Sequence, residues 1–196
     1  RSLLHIGGSF STRDPNGDTR DRSRPEARFV NFLVDTGDFS ASRIKLYGVE
    51  LVGVRGPLSF QSELIASQVS GTEIGSATFW GGYVQVGWFI TGEHKSYDTG
   101  LGVFSRVIPR QESQGIFRKR PGGGLELTGR ISNVDLDEGS ITGGQMTDFS
   151  FGVNWYLSST SAVKLNYINS NVKDQGRANI ILLRYQFRPL PVPGWR

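Results

Sequence analysis

Between Asp148 and Phe187 the apolar residues recur at every second position, through a tight turn and back again. Phe149, Phe151, Val153, Trp155 and Leu157 share one parity; Ser150, Gly152, Asn154 and Tyr156 share the other. After Ser158-Ser159-Thr160-Ser161, Val163, Leu165 and Tyr167 alternate with Lys164, Asn166 and Ile168. The last segment sets Ile181, Leu183, Tyr185 and Phe187 against Ile180, Leu182, Arg184 and Gln186. Successive side chains of a strand point to opposite faces, so each segment has one apolar, uncharged face and one mostly polar face. Long strands of this kind, with aromatics crowding their ends, predict an all-β chain, an antiparallel transmembrane β-barrel.

Hydropathy does not decide the matter. No apolar run approaches the roughly 18 residues of a transmembrane helix, and the mean hydropathy is −0.29. Barrel strands spend every second residue on the lumen, so such a value is ordinary for them. The chain has no cysteine, which excludes disulfide scaffolds, thiolate metal sites and thiol catalysis. Lys+Arg number 22 against 18 Asp+Glu, a net charge of +4. That modest excess suits small anions, acidic lipid or nucleic acid. Its position on the strands selects small anions, and no nucleic-acid partner is expected. The chain opens on Arg1, without a signal peptide, so a processed chain or part of a longer one is expected.

About eight segments have strand length: 3–11, 43–55, 58–69, 78–90, 124–136 and the three of the opening paragraph. Gly56-Pro57 marks a tight turn between the second and third. Barrels of this class have short periplasmic turns, longer outside loops and a final strand that ends at the periplasm. With Phe187 at that end, Gly56-Pro57 and Ser158–Ser161 are periplasmic, while 12–42, 70–77 and 137–145 are extracellular loops. Residues 91–123 break the rule, being far too long for a periplasmic turn. Either they fold across the pore mouth or they form a mobile flap. They are basic, with Arg106, Arg110, Arg118, Lys119 and Arg120 against Glu93, Asp98 and Glu112. Residues 1–187 are read as barrel. Residues 188–196, with prolines at 189, 191 and 193, cannot continue a ladder and form a tail.

An anion pathway needs positive charge on the water-facing parity, where low-dielectric walls focus the field. Arg130, Lys164 and Arg184 have that parity, and guanidinium groups offer forked donors to paired oxygens. The competing reading pairs these charges with Glu126, Glu63 and Glu50, and it is favoured for Arg130, which shares a strand face with Glu126. Tyr83, Trp88, Trp155, Tyr167, Tyr185 and Phe187 are read as an aromatic girdle. No catalytic or metal site is expected. His5 and His94 lie in no ligand or nucleophile pattern, and Gly122-Gly123-Gly124 lacks the Lys-Ser/Thr and helix of a phosphate loop. An enzyme and a bound cofactor are therefore not predicted.

Ordered strings along the chain resemble the C-terminal half of the phosphate-selective porin O and P family. They include Arg24-Pro25-Glu26-Ala27 with Val34-Asp35-Thr36-Gly37-Asp38, then Leu46-Tyr47-Gly48-Val49-Glu50 and Gly56-Pro57-Leu58-Ser59-Phe60-Gln61. Gly82-Tyr83-Val84-Gln85, Trp88-Phe89-Ile90-Thr91-Gly92-Glu93 and Leu125-Glu126-Leu127 follow. Asp135-Leu136-Asp137, Gly143-Gly144 and Gly152-Val153-Asn154-Trp155-Tyr156-Leu157 complete the series. The resemblance implies a sixteen-stranded, trimeric barrel of the bacterial outer membrane, of which these strands are half. It implies passive conduction of phosphate or polyphosphate-like anions past inward-folded loops, here 12–42 and 91–123. The tail beyond Phe187 departs from the family, whose members end on the terminal aromatic.

Two other readings fit the alternation. One is a soluble all-β binding module, such as a lectin-like sandwich, in which the Phe149–Leu157 parity is buried. The other is a closed eight-stranded barrel with a structural role and a filled interior.

Overall fold

The computed structural model describes residues 2–15, 17–72, 74–113 and 122–188. Eight long strands form one antiparallel sheet. They are β1 (Ser2–Arg13), β2 (Arg43–Arg55), β3 (Leu58–Gly71), β4 (Gly75–Phe89), β5 (Gly124–Glu138), β6 (Ile141–Tyr156), β7 (Ser161–Val172) and β8 (Gly176–Phe187). Each pairs only with its neighbours in sequence, which leaves β1 and β8 as the edges. The sheet is therefore open, and β1 and β8 do not pair as they would in a closed eight-stranded barrel.

Register carries the sequence parity across the whole sheet. One rung runs His5, Val52, Gln61, Gln85, Arg130, Ser150, Ile168 and Ile180. An adjacent rung of opposite parity runs Leu4, Gly53, Phe60, Val86, Gly129, Phe151, Tyr167 and Ile181, without a charge. Because a one-residue slip would exchange the two faces along a whole strand, the alternation itself pins this register. The face bearing this rung stands open, with Phe151 52% and Leu183 75% exposed; its charges, Arg43, Lys45, Arg55, Asp135, Asp137 and Arg177, fall towards the strand ends. Trp155 is half-buried, its indole N–H donating to the Gly122 carbonyl at 3.0 Å. No second sheet lies on this face among the described residues, as a sandwich would require.

Both long connections lie on the other face. Residues 17–41 form a narrow hairpin, pairing Gly17–Thr19 with Phe39–Ala41 and Arg22–Ser23 with Val34–Asp35. Its Val34 and Ala41 join Ile44, Val69, Ala77, Phe79, Leu136, Ile141, Met146 and Val172 in a buried cluster. The apolar core of this chain thus sits on the mostly polar parity, at one end of the sheet, under that hairpin. Gly144, at φ +92, admits the close approach, since a Cβ there would meet Val34 Cγ1 at 3.2 Å. At the opposite end residues 91–113 double back, with a small ladder of Tyr97–Asp98 against Val103–Phe104.

Two expected loops are absent. Residues 137–145 are mostly strand, with β5 and β6 joined through Gly139-Ser140 after a bulge between Asp135 and Asp137. Residues 70–71 and 75–77 likewise extend β3 and β4, whose ladder continues to Gly71 opposite Gly75. The glycines and short polar residues that read as loop are tolerated in these strand ends, where bulge and turn need positive φ at Gly75 and Gly139.

Candidate functional site

The covered face holds two groups of cations. Toward the hairpin end, Arg22 and Arg24 place their guanidinium carbons 4.0 and 3.8 Å from the centre of the Phe32 ring. They line a cavity of about 810 Å³ together with Arg13, Arg28 and Arg130. Asp21, Glu26, Glu63 and Asp148 line it too, so the net charge of its lining is small. Burial pushes the Asp21 carboxyl above its usual range, against the pull of Arg13. The hairpin is braced by Arg20, whose Nε and Nη2 each lie 2.7 Å from an Asp35 carboxylate oxygen. That guanidinium and the Gly37 N–H hold the Asp35 carboxyl down at about 2.

Arg130, the pathway candidate for which pairing is the favoured reading, lines this cavity and is paired. Its Nε donates to Glu26 Oε1 at 2.7 Å, its Nη1 reaches Gln85 Oε1 at 3.4 Å, and its guanidinium carbon sits 3.6 Å above Tyr83. The pairing reading holds for this residue, but its partner is Glu26 of the hairpin and not Glu126. Ser132 also donates to Glu26 Oε1, and the Glu26 N–H donates to Asp148 Oδ2 at 3.0 Å. These contacts seat the hairpin on β5 and β6. Tyr83 accordingly lies on the covered face and not in an outer girdle.

Glu126 serves the other connection. Its side chain has no exposed surface, and Oε1 lies 2.7 Å from Lys95 Nζ. Oε2 accepts from Asn154 Nδ2 at 3.1 Å and from the Tyr156 hydroxyl at 2.9 Å. Gly87 makes room, since a Cβ there would stand 2.6 Å from Glu126 Oε1. Two residues on, Tyr97 reaches the first strand, its ring 5.3 Å from that of His5, which itself meets Glu50 at 3.1 Å. Residues 95–97 therefore bridge from β5 to β1 across the covered face. The turn before them is tied down by Glu93, which bonds the Thr91 hydroxyl and accepts the Arg110 N–H at 3.3 Å.

Beside this bridge is a second cavity, of about 340 Å³, lined by Lys95, Arg106, Lys164 and Arg188 with Tyr156 and the hydroxyls of Ser105 and Ser158–Ser161. No carboxylate lines it among the described residues. Lys164 faces Arg184 directly across the β7–β8 ladder, a like-charge pair that gains from an anion between its members. Of the sequence candidates, Lys164 and Arg106 thus come together, Arg184 stands next to them, and Arg110 lies apart beside Gly92. Arg118, Lys119 and Arg120 lie outside the described residues. Lys95, Arg22, Arg24 and Arg188 were not among the candidates. Arg22 and Arg24 carried one usable signal, a spacing of two that puts both on one side of an extended segment.

The model of the family described as phosphate-selective porin O and P matches residues 2–188. An uncharacterised protein of Caulobacter vibrioides is 28% identical over 172 residues, covering 85% of this chain and 34% of its own length. Porin O of Pseudomonas aeruginosa is 23% identical over 225 aligned positions, covering 95% of this chain and 50% of its own length. The chain thus spans between a third and half the length of these relatives.

Proposed function

The chain belongs to the phosphate-selective porin O and P family, and on that premise we propose that it forms the C-terminal half of a sixteen-stranded outer-membrane barrel passing small anions. Family membership implies a channel rather than an enzyme. In this reading residues 1–187 are barrel; the tail expected at 188–196 lies, past Arg188, outside the described residues. The open face touches lipid along its charge-free band, the covered face borders water, and the end bearing Gly56-Pro57 is periplasmic. Phosphate is the substrate that the family description names, and the working unit is a homotrimer.

The observation that carries the reading is a charge-free band along the middle of the open face, set against cations gathered on the covered one. An arginine at the bilayer midplane costs about 2–4 kcal/mol, and the rung from Leu4 to Ile181 contains none. The opposite face collects Arg106, Lys164 and Arg188 around a cavity whose lining, among the described residues, holds no carboxylate. Clustered cations on low-dielectric walls raise the local anion concentration, and several moderate sites allow an ion to leave as well as enter. In this reading Lys164, Arg184 and Arg106 form the turn-side station, and Arg22 with Arg24 a second one; Lys95, paired with Glu126, positions residues 91–113, as Arg130 positions the hairpin.

Planar-bilayer recording of the full-length protein across a salt gradient tests this. The expected result is a reversal potential of the sign set by anions, with chloride current reduced by added phosphate. Cation preference, or no channel, would refute it.

A further inference from the structure

The larger cavity is built for more than an inorganic oxyanion. We propose that it takes organic anions, a phosphonate or phosphate monoester bearing an aromatic or alkyl body, and this rests on the anion-channel reading above. Its volume, about 810 Å³, falls in the span of sites for small organic molecules, about 300–1,000 Å³. Its cationic wall is Arg22 and Arg24, both held against Phe32 and neither in a salt bridge among the described residues. Forked donors of that kind suit a phosphonate head.

Part of the same lining is apolar, where a water-filled bore for bare ions needs only polar groups. Ile65 has the covered parity yet is 44% exposed. Its register partners on both sides are glycines, Gly48 and Gly81, so nothing on the neighbouring strands shields it. Leu46, half-buried, lines the cavity with it. An oxyanion gains nothing from this surface, whereas a ring or alkyl group gains by leaving water. Cation and apolar wall thus face one cavity, an arrangement that reads both halves of an amphipathic anion.

The test compares inorganic phosphate with phenylphosphonate as blockers of chloride current through the full-length protein. Phenylphosphonate is expected to half-block at a concentration lower by at least about fivefold, the scale of burying part of one ring. Ile65→Ser is expected to remove that advantage while leaving the phosphate value unchanged. Phe32→Ala, which frees both arginines, is expected to weaken both blockers. Equal half-blocking concentrations in the unmodified channel, or an equal effect of Ile65→Ser on both blockers, would overturn the inference alone. Absence of any anion current would overturn the channel reading together with it.

Discussion

Lys95 Nζ lies 2.7 Å from Glu126 Oε1, and the glutamate side chain is wholly removed from solvent. This contact joins a connection at one end of the sheet to the middle of its face. Removing one partner of a buried pair leaves an uncompensated charge, at a cost of about 3–5 kcal/mol. Glu126→Gln is therefore expected to release residues 91–113 from the sheet. Limited proteolysis of the detergent-folded protein should cut within 91–113 at least tenfold faster in the variant, while the β-strands stay protected.

Gly87 stands where a side chain would collide with that pair, with Glu126 Oε1 and Ser59 Oγ both 2.6 Å from a would-be Cβ. Gly87→Val is expected to destabilise the fold by about 1–3 kcal/mol through overpacking. Heat-modifiable migration on gels should show its midpoint at lower temperature than the parent's. An unchanged midpoint would mean that the pair has slack.

Arg130 and the Arg22–Arg24 pair predict opposite phenotypes. Neutralising Arg22 and Arg24 together should move the reversal potential toward cation preference, because both guanidinium groups line the cavity and rest on Phe32. Arg130→Gln removes a charge already compensated by Glu26 at 2.7 Å. It should change selectivity less, and instead speed proteolysis within 17–41. The same recordings and digests separate the two.

Asp35 makes the hairpin acid-sensitive over a defined window. Its folded pKa is held at about 2 by Arg20 and the Gly37 N–H, below the ordinary carboxylate value of about 3.9. A depressed pKa contributes stability that is fully present above the unfolded value and disappears as pH falls through the folded one. Proteolysis within 17–41 should accelerate as pH falls from about 4 to 2. Asp35→Asn should flatten that dependence.

The faces of the strands were legible in the sequence because period-two alternation needs no knowledge of partners. His5, Lys164 and Arg184 all have the parity read from their neighbours. The partners were not legible, since they come from tertiary folding. Glu126 and Arg130 share a strand face, which suggested an ion pair, yet each is matched by a residue from a different inward connection, Lys95 and Glu26. Tyr83 read as a girdle aromatic although its parity is that of Gln85, the covered one. Gly143-Gly144 read as loop because glycine marks turns and close backbone approaches alike; here the second of them admits Val34.

The central claim is that the two parities meet different solvents, and the absence of cysteine makes single-cysteine variants clean reporters. Phe151→Cys, Leu183→Cys and Lys164→Cys, each in the full-length protein in liposomes, would be labelled with a bilayer-soluble and a membrane-impermeant thiol reagent. The account predicts that positions 151 and 183 react with the bilayer-soluble reagent alone, and position 164 with the aqueous one. Aqueous labelling at 151 and 183 equal to that at 164 would contradict it.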